Sequence, residues 1–269
     1  MWNNKNSIED MIIFEDKDIL VCHKAAGIAV QNARIGAADM ESSLKNYLAL
    51  KNMETVPYLG VVHRLDQPVE GVLVFAKNKK AAAGLTRQIT TGNIVKEYLA
   101  VTDRMSEKRQ GRLEDYLIKN GRTNTAEVVT SKTSGAKKAV LDYEVIHQIS
   151  DERTESGKRI LIKIHLETGR HHQIRVQMAY HGTPLYGDMK YGVPVGTAKL
   201  DKKENADQGT MTAAGNRNMP GIRTAGNMGS GRESIALCAS SLIFFHPVTK
   251  KEMTFEIEPV GGAFQLFQV

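Results

Sequence analysis

The chain holds 269 residues, 41% hydrophobic and 25% charged, which is enough apolar material for a real core and excludes wholesale disorder, a collagen-like repeat and a small disulfide scaffold. Its two cysteines, Cys22 and Cys238, have neither framework nor metal-ligand spacing, so both are expected as core thiols. The net charge of +6 is unevenly spread: residues 1–60 hold six basic against eight acidic side chains and residues 61–112 ten against five, so a polyanion is expected to meet the second stretch.

No apolar run approaches the ~20 residues of a bilayer span. Residues 1–14 carry Glu9 and Asp10 and lack the basic and apolar regions of a secretory signal, so the expected location is cytoplasmic. Short apolar runs at 12–14 and 19–22, split by acidic residues 15–18, predict two strands joined by a turn. Leu44, Tyr47, Leu48 and Leu50 have helical spacing, which predicts a helix over 42–51. Residues 60–77 read as strand, loop and strand around Asp66. Asn78 then caps a helix over 79–91 that Gly92 stops. Strands are predicted over 94–101, 139–146, 160–166, 235–245 and 252–257, with Ile160, Ile162, Ile164 and Leu166 on one face. One helix interrupts them over about 170–181, ended by Gly182 and Pro184. Residues 209–231 hold six glycines among small and polar residues, and the composition predicts a disordered insertion over about 196–233.

Two segments carry chemistry. V-V-H-R-L-D-Q-P-V-E-G-V-L-V-F-A-K places His63, Arg64, Leu65 and Asp66 in a turn between apolar strands, where polar groups sit on a rigid support. T-G-R-H-H-Q-I-R-V-Q-M brings Arg170, Gln173 and Arg175 to the start of a helix, an arrangement suited to carboxylates or phosphates. Taken singly, each has a plainer reading. An Arg-Leu-Asp turn is ordinarily a structural ion pair, Tyr98 a half-buried strand tyrosine, and Lys79 and Lys80 solvated helix-start residues. His171 and His172, adjacent on a helix, are expected to diverge, and with no third ligand at sensible spacing no metal site is expected.

Together the motifs change the weight of these readings. His63-Arg64-Leu65-Asp66 with Gly71 and Ala76-Lys77, then K-E-Y-L-A-V, then T-G-R-H-H-Q-I-R-V-Q-M and P-L-Y-G-D-M-K-Y-G, resemble in content and order the RluA-type family of RNA pseudouridine synthases. The resemblance runs from about residue 12 to 259, outside the insertion. It implies the pseudouridine synthase fold, an α+β domain with a long, mainly antiparallel mixed sheet flanked by helices and loops. It further implies isomerisation of uridine in structured RNA (rRNA or tRNA) without cofactor or metal. On this resemblance residues 1–11 are a short extension and 12–269 one catalytic domain, with no room before it for the S4 RNA-binding domain of many relatives. A monomer is expected.

Carried over residue by residue, the resemblance makes Asp66 the catalytic aspartate, attacking either the sugar C1′ or the base C6. Arg175 would hold its carboxylate by a salt bridge. Tyr98 would stack on the base, a contact worth about 1–3 kcal/mol, and is a candidate for proton transfer. Arg64 would enter the RNA stack where the uridine is flipped out. His63, Arg170, Gln173 and Lys77 complete the expected RNA-binding set, with His63 also supporting the turn. The family's Thr-Ser-Gly beyond the aspartate is replaced by Val69-Glu70-Gly71, which is expected to set a negative charge near phosphate unless Lys77 or Arg87 pairs with it. Lys24-Ala25-Ala26-Gly27 likewise replaces lysine-proline-alanine-glycine. Two other readings stand beside this one. A catalytically weak RNA-binding protein on the same scaffold is motivated by Val69-Glu70, and a glycosidase would use Asp66 and Glu70 as paired carboxylates about 5–9.5 Å apart.

Overall fold

The computed structural model describes residues 7–32, 38–53, 56–105, 108–192 and 234–267, so the segment read as an insertion lies outside the described residues. A 3-10 turn (Glu9–Met11) leads into β1 (Ile12–Glu15), β2 (Ile19–Lys24), α1 (Met40–Asn52), β3 (Gly60–Val61), β4 (Glu70–Ala76) and α2 (Lys79–Thr90). Then come β5 (Val95–Thr102), β6 (Gln110–Asn120), β7 (Thr125–Val129), β8 (Lys137–Ser150), β9 (Lys158–Leu166), α3 (Gln173–Tyr180), β10 (Leu237–Phe245), β11 (Glu252–Glu256) and α4 (Gly262–Gln265). Among the described residues all eleven strands form one sheet in the order β1-β2-β4-β10-β5-β9-β8-β6-β7, with β3 added to β4 and β11 to β10. β4 and β10 run parallel and the other pairs antiparallel. This is the expected α+β class with a mainly antiparallel mixed sheet.

The apolar pattern explains the layering. Every residue of β4 is buried because the sheet is covered on both faces there, which removes the need for polar alternation. Leu73 and Phe75 face the cluster of α1 with Leu44 and Leu48, whereas Val72 and Val74 face that of α2 with Ala81 and Leu85. Cys22 and Cys238 are both buried free thiols. Helix ends follow capping chemistry: Ser42 N–H donates to Asp39 Oδ1 at 2.7 Å and Ala81 N–H to Asn78 Oδ1 at 2.8 Å. Asp39 thus starts α1 two residues before the spacing alone suggests, and Leu50, placed on its apolar stripe by that spacing, is 84% exposed. Gly71 is required by a close approach. With φ +149° it pairs with Ala239 of β10, and a Cβ there would lie 2.7 Å from the Ala239 nitrogen and closer still to its Cβ.

Beyond β5 one face carries the larger core, while Leu161 on the other packs against the cluster of Val101 and Phe264. Ile160, Ile162, Ile164 and Leu166 share a face with Tyr98 and Ala100 and pack against Ile174 and Met178 of α3. The helix expected from residue 170 begins only at Gln173, because His172 adopts the left-handed conformation (φ 51°) and the chain before it is a turn. The β6–β7 hairpin was not anticipated from the sequence. No helix among the described residues is long and apolar enough to cross a membrane.

Candidate active site

The turn carrying Asp66 bridges β3 and β4 and is tied down from beneath. Lys24, fully buried at the end of β2, donates to the carbonyls of Ala25, Ile28 and Gln67 at 3.0, 2.8 and 3.1 Å. Burial pushes its ammonium pKa down to about 8, against the pull of Asp66 and Glu70. Gly27 N–H donates to Gln67 O at 2.8 Å and Gln67 Nε2 returns to Gly27 O at 3.0 Å. His63 pins the turn from the other side, its Nε2 accepting the Val74 N–H at 3.1 Å. Desolvation, with Lys96 nearby, holds that imidazole neutral, its pKa pushed down to about 3.

Asp66 opens into a cleft of about 820 Å³ lined on one side by residues 62–66 and on the other by residues 166–175, with Lys96 and Tyr98 of β5 and Lys119 of β6 between them. Its side chain is 26% exposed. Arg175 Nη1 reaches Asp66 Oδ2 at 3.3 Å, while its Nε and Nη2 both engage Asp188 at 2.8 Å, a bidentate fork. Burial opposes the guanidinium charge, but the Asp188 and Asp66 carboxylates outweigh it and raise the pKa; the Asp188 carboxyl in turn lies below its ordinary value, since Arg175 outweighs burial. Asp188 Oδ1 also accepts the backbone N–H groups of Lys190 and Tyr191 at 2.9 and 3.2 Å. Tyr98 is 7% exposed, and burial, with the Asp66 charge nearby, pushes its phenol up, keeping it protonated.

His172, from the left-handed turn, puts Nε2 3.5 Å from Asp66 Oδ2 and Nδ1 2.8 Å from the Tyr191 hydroxyl. Burial outweighs the attraction of Asp66 and pushes its pKa down to about 4, so the ring is neutral near pH 7. The two histidines do not diverge as expected of helical neighbours. Because residue 172 turns left-handed, their rings stack with centroids 3.8 Å apart at 25°. His171 bonds to the backbone at Asn124 and has a buried Nε2 without a hydrogen-bond partner.

The remaining sequence candidates divide. Arg64 and Arg170 are exposed and line the cleft, Arg170 with its Nε anchored on Lys138 O at 2.8 Å. Gln173 borders the cleft but is internally committed, its Oε1 accepting from Thr168 Oγ1 and Arg170 N at 2.8 and 2.9 Å and its Nε2 donating to Val140 O at 3.1 Å. It is a clamp on the turn rather than a free contact group. Lys77 is not in the cleft, because its ammonium is held by Glu15 at 2.6 Å at the far end of β4. Glu70 does not approach the phosphate side either. It is 3% exposed and its Oε1 takes His23 Nε2 at 3.0 Å and Val260 N–H at 2.9 Å, so it pairs with neither Lys77 nor Arg87 and offers Asp66 no partner across the cleft. That removes the basis of the glycosidase reading. Sequence reasoning assigned no role to Asp188, Tyr191, His172 or Lys96; P-L-Y-G-D-M-K-Y-G and K-E-Y-L-A-V were the available signals.

Among the described residues two groups bring three metal-capable atoms within 4.8 Å of one another, Asp66 with His171 and His172, and Asp16 with Asp18 and His246. In the second, His246 Nδ1 accepts the N–H groups of Val248 and Thr249 at 3.2 and 3.0 Å, so its neutral ring carries the proton on Nε2 and donates to Asp16 Oδ2 at 2.9 Å. That nitrogen has no lone pair to give.

A carboxylate gripped by a buried arginine in a cation-lined cleft, above a buried tyrosine and on this mixed sheet, defines a class that comparison makes specific. The fold matches the solved human RNA pseudouridylate synthase domain containing 4 with a TM-score of 0.68 over 97% of this chain and 93% of that one, at 20% identity. A model of the RNA pseudouridylate synthase family matches residues 18–180, and the chain belongs to that family. It is 31% identical over 246 residues to ribosomal large subunit pseudouridine synthase D of Vibrio cholerae, covering 91% of this chain and 65% of that relative, and 29% identical over 262 residues to the protein of the same name from Zymomonas mobilis, covering 95% and 71%. The chain thus spans about two thirds of the length of these relatives.

Proposed function

We propose that this protein isomerises uridine to pseudouridine in structured RNA, rRNA or tRNA, with Asp66 as the catalytic carboxylate. The observation that carries the reading is the Asp66 carboxylate held by Arg175 beside Tyr98 in a cleft lined by Arg64, Lys96, Lys119 and Arg170, where the other lining carboxylate, Glu167, is engaged by Arg112. In the reaction the C1′–N1 bond breaks, the uracil turns, and a C1′–C5 bond forms; C5 gives up its proton and N1 gains one, so atoms balance without an added reactant. Asp66 would attack C1′ or C6 and depart in the second step. Arg175 would orient the carboxylate toward the reacting atom. Tyr98, held as the phenol, suits a stacking face under the base. Arg64 at the rim would occupy the gap that the flipped nucleotide leaves. Cations along the cleft would meet the phosphates.

The names of the Vibrio and Zymomonas relatives specify the ribosomal large subunit, which makes large-subunit rRNA the first pool to examine. The same reading assigns a cytoplasmic location, where such RNA is met, and a monomer acting through one catalytic domain. The alternative of binding without turnover rested on Glu70 near phosphate, and Glu70 is buried against His23 and Val260. Tritium release from RNA labelled at uridine C5 is the test, with Asp66→Asn beside the wild type. Release by the wild type alone is expected. Tight binding of rRNA and tRNA by both proteins with no release would overturn the assignment.

A further inference from the structure

We propose that Tyr191 and His172 are positioning residues for Asp66, joined in a hydrogen-bond relay that fixes one tautomer of His172 and aims its Nε2–H at Asp66 Oδ2. The inference rests on the reading of Asp66 as the reacting carboxylate. It starts from the Tyr191 hydroxyl, which has one proton to give. Its oxygen accepts the Ala126 N–H at 2.7 Å, and its other neighbour is His172 Nδ1 at 2.8 Å. With the acceptor side taken by the backbone, the phenol proton goes to Nδ1. A neutral imidazole that accepts at Nδ1 must carry its proton on Nε2, the nitrogen 3.5 Å from Asp66 Oδ2. The opposite tautomer would turn a lone pair on the carboxylate and leave the phenol proton without an acceptor. A separation of 3.5 Å is long for a hydrogen bond, and the relay requires it to tighten when RNA binds.

The relay has a consequence for the nucleophile. Arg175 Nη1 reaches the same Oδ2 at 3.3 Å, so among the described residues both donors fall on one oxygen. Oδ1 is left for substrate. One short segment sets both donors: the Asp188 side chain grips Arg175, while its Oδ1 also caps the backbone at Tyr191 at 3.2 Å. The Arg175 guanidinium lies 5.3 Å from the Tyr191 ring centroid, so the two arms of the clamp also touch each other.

The test joins nitrogen-15 NMR of labelled histidine with tritium-release kinetics on the full chain. In the wild type His172 should show the Nε2–H tautomer near pH 7 with Nδ1 shifted as a hydrogen-bonded acceptor, and Tyr191→Phe should lose that Nδ1 hydrogen-bond shift. Tyr191→Phe should lower kcat about 10- to 100-fold, the worth of one charge-assisted hydrogen bond, with KM within about twofold. Glutamine carries an N–H where imidazole carries Nε2, so His172→Gln should retain roughly tenfold more turnover than His172→Leu. An Nδ1–H tautomer in the wild type, kcat of Tyr191→Phe within about twofold of wild type, or equal turnover of the Gln and Leu variants would each overturn the relay. If Tyr191→Phe fails to fold, the wild-type tautomer and the Gln–Leu pair decide it. A wild type that releases no tritium from any RNA would sink the proposed activity, while the NMR signature would still decide the relay.

Discussion

Replacing Asp188 by Asn removes one of the two carboxylates that share Arg175, and the structure sets the size of the effect. Arg175 is 6% exposed and forked onto Asp188 at 2.8 Å through both Nε and Nη2, with Asp66 a longer 3.3 Å away. Removing one partner of a buried ion pair costs about 3–5 kcal/mol; the lower end applies because Asn keeps an acceptor. For a domain of this size that is a fall in Tm of about 6–12 °C. The kinetic consequence has a separate origin. At 3.3 Å and an effective dielectric of about 20, the Arg175–Asp66 attraction is about 5 kcal/mol, and in the native site the nearer Asp188 holds the guanidinium back from it. Without the Asp188 charge the arginine closes on Asp66 and covers the carboxylate that must attack, so kcat should fall about 10- to 100-fold while KM for RNA changes less. Thermal unfolding and tritium release measure the two arms. An Asp188→Asn protein with Tm within about 2 °C and kcat within about twofold of wild type would refute the reasoning.

Gly71→Ala must push β4 away from β10 at Ala239, at a cost of about 3 kcal/mol or more, and a variant that unfolds at the wild-type temperature would contradict the close approach. Lys24 gives a pH dependence of defined sign. Its folded pKa of about 8 lies below the unfolded 10.5, so below pH 8 it is charged in both states and carries its full burial cost; between about 8 and 10.5 the unfolded chain binds more protons. Denaturant titrations should therefore show the wild type gaining stability relative to Lys24→Met across that window, and a flat difference would mean an ordinary, hydrated lysine. Arg64→Ala should reduce turnover on a structured RNA hairpin more than on an unpaired strand holding the same uridine, since unstacking costs a few kcal/mol only in the former. Equal losses on both substrates would reduce Arg64 to a phosphate contact.

What was legible in the chain depended on whether an interaction is local. The Asn78 cap and the strand face of Ile160, Ile162 and Ile164 follow from neighbours in sequence or from periodicity, and both hold. Asp66 and Arg175 could be paired by resemblance, across 109 residues. Lys77 and Glu70 misled because spacing along a strand does not say which neighbour reaches the side chain: Lys77 meets Glu15 from β1, and Glu70 meets His23 from β2 and a backbone N–H at Val260. The hairpin of β6 and β7 escaped notice because charged residues alternate along it, and only Leu117 and Ala126 are buried hydrophobics there. Its worth to the site is tertiary, since Ala126 supplies the N–H that orients Tyr191.

The left-handed turn at His172 shows why the second half of the site could not be read as a helix. A residue with a side chain costs about 1–2 kcal/mol in that conformation, so regular helix from residue 170 would be the cheaper backbone. The turn is held by several bonds at once: Gln173 Oε1 takes Thr168 Oγ1 and the Arg170 N–H, Gln173 N–H returns to Arg170 O at 3.2 Å, and His172 O accepts the first helical N–H, from Val176, at 3.0 Å. Ordinary helix starts use a side chain to cap the free N–H groups, but His172 makes no such bond and its ring is spent elsewhere. The turn lets the ring of residue 172 and the guanidinium of residue 175 reach the same oxygen of Asp66, at 3.5 and 3.3 Å. Strain in the backbone is thus exchanged for two donors converging on one carboxylate, and the clamp formed by Gln173 keeps that exchange from relaxing.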